Sequence, residues 1–186
     1  MIIIIGLGNP DEQYQNTRHN IGFMFLEHLA KKNDFAGFEL NKKLNALIAK
    51  GKMDKTAVIL AKPLSYVNKT GDVAAKLKNF YKVKPEHFIL AHDDLDIDFG
   101  NFKISFDKNS GGHKGVESVI KSLKTKKFHR VRFGTSSPTL KKARSQSDKL
   151  RDKFVMDFVL SKFGKKEDET LKTLFKSTGE RLAEIL

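Results

Sequence analysis

A chain of 186 residues, 39% apolar and 31% charged, has the size and balance of one soluble domain. It has no cysteine, which excludes disulfides, cysteine-ligated zinc and thiolate nucleophiles. No apolar run approaches the roughly 18 residues of a membrane span, and the apolar residues at 1–5 are too few for a signal peptide, so a cytoplasmic protein is expected. The formal charge of +13 is unevenly spread: over residues 121–153, 12 Lys and Arg stand against two Asp, which places +10 of it there. Such a field attracts polyanions, and a stretch without a clear apolar helical face suits nucleic acid better than a membrane surface.

The β-branched run at 1–5 predicts a strand buried on both faces, ended by Gly6-Leu7-Gly8-Asn9-Pro10. Ile21, Phe25 and Leu29 then recur at helical spacing, predicting a helix over 20–32. Residues 46–50 and 55–61 read as two strands around a turn at 51–54. A helix follows over 70–81, with Val73, Leu77 and Phe80 on one face, then a buried strand over 87–92 and a half-covered strand over 101–106. Residues 115–123 read as a helix and 128–135 as a strand. Residues 139–153 are polar and without an apolar period, and are expected to form a mobile basic loop, a lid or a frayed helix. A short apolar element at 154–163 precedes a C-terminal amphipathic helix carrying Leu171, Leu174, Phe175, Leu182 and Ile185. Strands and helices alternate without linker or repeat. The expectation is a single α/β domain over 1–186, with a central twisted mixed β-sheet flanked by helices and sites at the carboxyl ends of strands.

Five polar motifs fall at such ends. Gly6-Leu7-Gly8-Asn9-Pro10 lacks the third glycine of a dinucleotide fingerprint, since Asp11 stands in its place. It reads either as a plain turn or as a turn presenting the Asn9 amide, which can both donate and accept. Tyr14 to Asn20 contains His19 at the mouth of a helix. Alone, such a histidine is often a cap or a surface residue. His92-Asp93-Asp94-Leu95-Asp96 changes its weight, because a carboxylate on one imidazole nitrogen holds the tautomer and raises the basicity of the other, which can then activate water. His19 with Asp93 is such a pair. His19, His92, Asp93, Asp96 and His113 could also supply metal ligands, but none shows the spacing of known sites, and no metal or other cofactor is expected. The nucleophile motif of serine esterases is absent. The run from Lys62 to Gly71 and the turn Asn109 to Gly115 each read as punctuation before a helix, the second with amides able to bind an anion.

Together the segments G-L-G-N-P at 6–10, T-R-H-N-I-G-F at 17–23, K-P-x-x-Y-x-N at 62–68, H-D-D-L-D at 92–96 and G-G-H-x-G at 111–115 resemble the bacterial peptidyl-tRNA hydrolase family, in family order and spacing across essentially the whole chain. The resemblance implies a monomeric cytoplasmic enzyme that cleaves the ester between a peptide and the 3′ ribose of tRNA, recycling tRNA from abandoned translation. Carried over, His19 is similar to the base that activates water and Asp93 to its partner. Asn9 matches the residue that separates blocked from free aminoacyl ends. Tyr14, Tyr66 and Asn68 match positions touching the peptide and the terminal nucleotide. His113 and Lys114 fall in the substrate-binding turn, and Arg132 and Lys103 are implied phosphate contacts. Three positions depart from the family: Lys114 stands for the usual Asn, Val67 for Met, and Ser105 for a basic residue. A second reading, favoured by Lys114, is a non-catalytic RNA-binding module on the same fold.

Overall fold

The computed structural model describes residues 1–143 and 148–186. Seven strands form: β1 (Ile2–Gly6), β2 (Glu39–Asn41), β3 (Ala46–Met53), β4 (Thr56–Pro63), β5 (Phe88–Asp98), β6 (Phe102–Phe106) and β7 (His129–Ser136). They make one sheet of order β2-β3-β4-β1-β5-β7-β6. The inner four run parallel, with Ile4 opposite both Leu60 and Ile89, and Ala91 opposite Val131. β3 and β6 flank them antiparallel, which makes the sheet mixed.

The isoleucine run is explained by its place at the centre. Ile3 and Ile5 pack under α2 (Thr70–Tyr81) and α3 (Lys114–Leu123) with Val73, Leu77, Val116 and Val119. Ile4 packs on the other face with Phe25, Leu26 and Leu29 of α1 (Ile21–Lys32) and Leu174 and Phe175 of α6 (Asp168–Ala183). All three isoleucines are fully buried, and each such side chain contributes about 1.5–3 kcal/mol. Helices on both faces and one continuous sheet make this the single α/β domain that the alternation of elements predicts. Among the described residues no helix is long and apolar enough to cross a membrane.

The structure differs from the sequence-based expectation at several boundaries. β3 continues through Met53 and reverses at Asp54, whose φ of 50° supplies the left-handed residue of the turn, so the turn lies later than 51–54. β5 runs on to Asp98 past a register shift between Asp94 and Asp98, which puts the carboxylates of the fourth motif inside an extended strand. β2 is three residues long, too short for alternation to signal. The expected loop or frayed helix at 139–153 is helical where described: α4 (Pro138–Ala143) and α5 (Asp148–Val159) lie on either side of 144–147, which are outside the described residues. Leu140 and Ala143, three apart, are buried, and Phe154 and Phe158, four apart, stack with centroids 6.5 Å apart. One apolar contact per turn holds a short helix without producing a visible period. Ile185 lies beyond α6 and is exposed.

What this fold does for the site is set by Gly22. A Cβ there would lie 2.2 Å from the Ala91 carbonyl oxygen and 2.7 Å from the Leu7 nitrogen, so α1 rests its first turn directly on the ends of β5 and β1. Gly22→Ala is expected to destabilise the fold by about 3 kcal/mol, since overpacking against backbone has nowhere to relax and outweighs the helix propensity of alanine. A urea midpoint at or above that of the parent chain would show that the approach is not obligatory.

Candidate active site

The close seating of α1 brings the short turn Arg18–Asn20 over the end of β5. There the Asp93 carboxylate, only 3% exposed, meets two imidazoles. Its Oδ1 accepts from His19 Nδ1 at 2.8 Å and from His113 Nε2 at 3.0 Å. Neighbouring hydrogen bonds settle both tautomers. His113 caps α3, its Nδ1 accepting the amides of Gly115 at 3.1 Å and Val116 at 3.4 Å, so the ring proton is on Nε2 and points at Asp93. An ionised Asp93 can only accept, so His19 carries its proton on Nδ1 as well, and its Nε2 is the basic nitrogen.

The electrostatics follow. Burial pushes the Asp93 carboxyl up, but the charges and hydrogen bonds of His19 and His113 outweigh it and hold the group well below the usual carboxylate range. Burial pulls His19 down, and the Asp93 charge and hydrogen bond more than reverse this, leaving His19 raised above an ordinary imidazole. The rings of His19 and His113 stack at 5.3 Å. His92 sits beneath them, its Nδ1–H donating to the Asp93 backbone carbonyl at 2.7 Å and its ring edge-on to His113 at 4.7 Å. Burial, then the neighbouring His113, depress it well below the ordinary imidazole value, and its Nε2 has no hydrogen-bond partner.

Of the five residues considered as metal ligands, His19, Asp93 and His113 bring one ligand atom each within 4.8 Å of one another, whereas His92 is engaged elsewhere and Asp96 is exposed. Contacts of 2.8 and 3.0 Å with a proton between the atoms are hydrogen bonds. A tetrahedral ion with bonds of about 2.0–2.2 Å would hold its ligand atoms about 3.3 Å apart and displace both protons. As hydrogen-bonded here, the trio leaves His19 Nε2 able to take a proton.

A second network adjoins it. The Asn9 N–H donates to Asn20 Oδ1 and Asn20 Nδ2 donates back to the Asn9 carbonyl, both at 2.9 Å, so the buried Asn20 clamps the turn. Asn9 Oδ1 accepts the Val67 amide at 3.0 Å. The Asn9 oxygen is thereby used, and what its side chain has left to offer is the Nδ2 donor. Asn20 stands in the same T-R-H-N run as His19, and a buried amide beside a glycine turn is its only signal in sequence. Asn9 and Asn20 also line a cavity of about 270 Å³ with Phe23, Met24, Leu47 and Leu64.

The remaining expected residues are not among the trio's hydrogen-bond partners. Tyr66 is exposed and donates to Asp11 Oδ2 at 2.9 Å, a bond that raises its phenol. Tyr14 closes the short turn Glu12–Tyr14 beside it, and Asn68 is exposed in the turn Val67–Lys69. Lys114 is the exposed first residue of α3, next to His113. Lys103 and Arg132 are cross-strand partners on β6 and β7, and Arg132 Nε is tied to Asp94 at 2.7 Å. Sequence reasoning missed Arg130, buried one step along the same face opposite Ser105, whose Oγ is buried without a partner.

A model of the peptidyl-tRNA hydrolase family matches residues 3–186. A curated peptidyl-tRNA hydrolase of Mycolicibacterium smegmatis is 43% identical over 137 residues, covering 74% of this chain and 71% of that one. One from Clostridium botulinum is 35% identical over an alignment of 187 positions, covering all of this chain and 90% of its own length. Among solved structures, a peptidyl-tRNA hydrolase in complex with N-propanol superposes with a TM-score of 0.85 at 28% identity, over 98% of this chain and 87% of that one. The peptidyl-tRNA hydrolase of Acinetobacter baumannii does so with a TM-score of 0.84 at 28% identity, over 99% and 89%.

The double acceptance by Asp93 has a stability signature. His113→Asn keeps a good helix cap but removes the Nε2 donor, and is expected to cost about 1.5–3 kcal/mol at pH 7. Because the folded Asp93 titrates below its unfolded value, that stabilisation is present above about pH 4 and fades as pH falls further. The gap to the parent chain in denaturant titrations therefore narrows below about pH 4, and a constant gap down to pH 3 would separate His113 from the charge of Asp93.

Proposed function

Because this chain belongs to the peptidyl-tRNA hydrolase family, we propose that His19 is the base that activates water against the ester joining the peptide to the 3′ ribose of tRNA. Hydrolysis of peptidyl-tRNA is the function of that family, and the chain is a hydrolase. The observation that carries the assignment of His19 is the 2.8 Å bond from its Nδ1 to Asp93, which leaves Nε2 as the basic atom. In this reading water attacks the ester carbonyl carbon while Nε2 takes its proton. The imidazolium so formed is stabilised by Asp93, itself held by His113. Collapse of the tetrahedral intermediate breaks the carbon–ribose oxygen bond, and the imidazolium returns the proton to the 3′ oxygen. A peptide carboxylic acid, which then ionises, and a free tRNA end result.

Asn9 supports selectivity for blocked ends. With its oxygen already accepting from Val67, Nδ2 is placed to donate to a substrate carbonyl, and the side chain carries no charge to balance an ammonium. A free aminoacyl end would bring a cation into a pocket whose lining acid, Glu27, is already paired with Lys62 at 2.8 Å, at a desolvation cost of a few kcal/mol, roughly. In this reading the cavity beside Asn9 takes the peptide, and Tyr14, Tyr66 and Asn68 touch the substrate. Lys103, Lys114 and the terminal nitrogens of Arg132 meet the phosphates, which gives the charge excess of 121–153 its partner. Lys114 takes up by charge what an amide would have done by hydrogen bonding. The reading further has the protein act as a cytoplasmic monomer without a metal, returning tRNA to translation.

Purified protein should cleave N-acetyl-aminoacyl-tRNA and spare free aminoacyl-tRNA, and equal cleavage of the two would defeat the selectivity argument. Asn9→Asp keeps an acceptor for the Val67 amide, loses the donor and adds a charge. It should lower kcat/KM on the blocked substrate about 10- to 100-fold while narrowing the discrimination against the free one.

His19→Ala should lose about 10²–10⁴-fold in kcat with the fold intact. A base must be neutral to act, so the rate rises with pH through the His19 titration, at a pH above that of an ordinary imidazole. Asp93→Asn removes what raises His19 and leaves the burial that lowers it, so the acid limb moves to lower pH as the plateau falls. An unchanged pH–rate profile would count against the pair.

A further inference from the structure

Arg18, the residue before the proposed base, is held by more contacts than a surface arginine. Its guanidinium forks onto Glu167, Nη1 donating to Oε1 at 3.0 Å and Nη2 to Oε2 at 3.2 Å. The guanidinium carbon lies 4.9 Å from the Phe158 ring centroid and 4.7 Å from that of Phe163. Only 14% of the side chain is exposed, and Nε is buried with no hydrogen-bond partner. The backbone joins in. The Arg18 N–H donates to the Ser161 carbonyl and the Phe163 N–H to the Asn16 carbonyl, each at 3.0 Å, and Thr17 forms an antiparallel bridge with Lys162. A short ladder and a side-chain fork thus fasten residues 16–18 to residues 161–163.

The energetic balance says what such an arrangement is for. Partial dehydration of the pair and the unpartnered Nε offset much of the attraction, so its net stabilisation is modest. Its geometric demand is high. A lysine could satisfy the charge of Glu167, but it has no planar fork and stacks poorly between rings. The contact is therefore specific for direction and depth more than for charge. On one side of it the next residue is His19, whose approach to Asp93 depends on the backbone of this turn. On the other side lies the end of α5, the second helix of an α4–α5 arm that follows β7, in which Lys141 is paired with Asp98 and Arg151 with Asp152. Glu167 adds a third element, standing immediately before α6.

We propose that Arg18 is a positioning residue for hydrolysis: it locks the turn carrying His19 to the end of α5 and to Glu167 before α6, and so holds His19 against Asp93. This inference rests on His19 being the base. His19 is faced by Asp93 from β5 and by His113 from α3, while the charge of Arg18 on its own turn is matched by Glu167. Loss of the fork therefore acts on the base through geometry.

The test is hydrolysis of N-acetyl-aminoacyl-tRNA by Arg18→Lys, which keeps the charge and loses the fork and the stacking. Misplacing a catalytic group by about 1 Å costs about 100-fold, so a looser turn should lower kcat about tenfold or more. The acid limb of kcat should move down towards the ordinary imidazole value as contact with Asp93 weakens, with circular dichroism unchanged at the assay temperature. Wild-type kcat with an unmoved limb overturns the proposal. So does a fall in activity that merely tracks loss of folded protein and leaves the limb in place. Should Arg18→Lys not fold, Phe163→Leu removes one stacking face and leaves the fork. A loss of about threefold with the same direction of limb shift is then expected, and wild-type values overturn the proposal. His19→Ala measured alongside separates the two readings: if it keeps the wild-type rate, the base assignment fails and the latch falls with it. If His19→Ala is inactive and the Arg18 and Phe163 variants are normal, the latch alone fails.

Discussion

A buried carboxylate is among the more costly groups a small protein can carry, and Asp93 is tolerated because one of its oxygens accepts two imidazole N–H bonds. Those bonds impose conditions on three elements at once. β5 must extend past the end of β1 to carry the carboxylate beyond it, α3 must be capped by His113 so that its amides orient that ring, and α1 must sit close enough on β1 and β5 for its preceding turn to reach. Relaxing α1 or α3 takes away one of the two donors that hold this charge indoors. The fold around the site is specified by this constraint more tightly than by apolar packing, which would accept many side chains of similar volume.

Around that charged centre the protein arranges neutral groups with one hydrogen-bonding sense. Asn20 spends both faces of its amide on the backbone of Asn9, and Asn9 spends its oxygen on Val67, so a donor is what remains. Selectivity against a cation then needs no opposing positive charge beside the base, which would have lowered the basicity of His19. Positive charge is placed further out, on β6, β7, the start of α3 and the α4–α5 arm, where it can draw a polyanion over a Debye length of about 8–10 Å. Arg18 is the exception close in, and its charge is matched by Glu167 in a bidentate pair.

The departures from the family pattern sort differently once placed. Val67 touches Asn9 through its backbone amide, a contact that the change from methionine leaves intact. Ser105 leaves a buried hydroxyl without a partner beside the buried Arg130, so positive charge persists on this face although position 105 has none. Lys114 is exposed at the first turn of α3, where a long flexible cation reaches outward rather than into the trio.

The chain's one-dimensional pattern determined the order of strands and helices, the doubly buried centre of the sheet and the pairing of His19 with Asp93. Each of these is written in local periodicity or in residue type at a strand end, signals that survive without knowledge of neighbours. The same pattern left 139–153 between a loop, a lid and a frayed helix, because a short helix held by single contacts such as Leu140 and Ala143 has too few turns to show a period. It also left the roles of His113, Asn20 and Arg18 open. What the His113 Nε2–H meets, what the Asn9 amide oxygen accepts and what holds the turn before α1 all depend on partners 20 to 149 residues away in sequence. His19 is legible from sequence as a candidate base once Asp93 is set beside it. The direction in which it is basic was decided only by tertiary structure, because hydrogen-bond direction is a property of pairs.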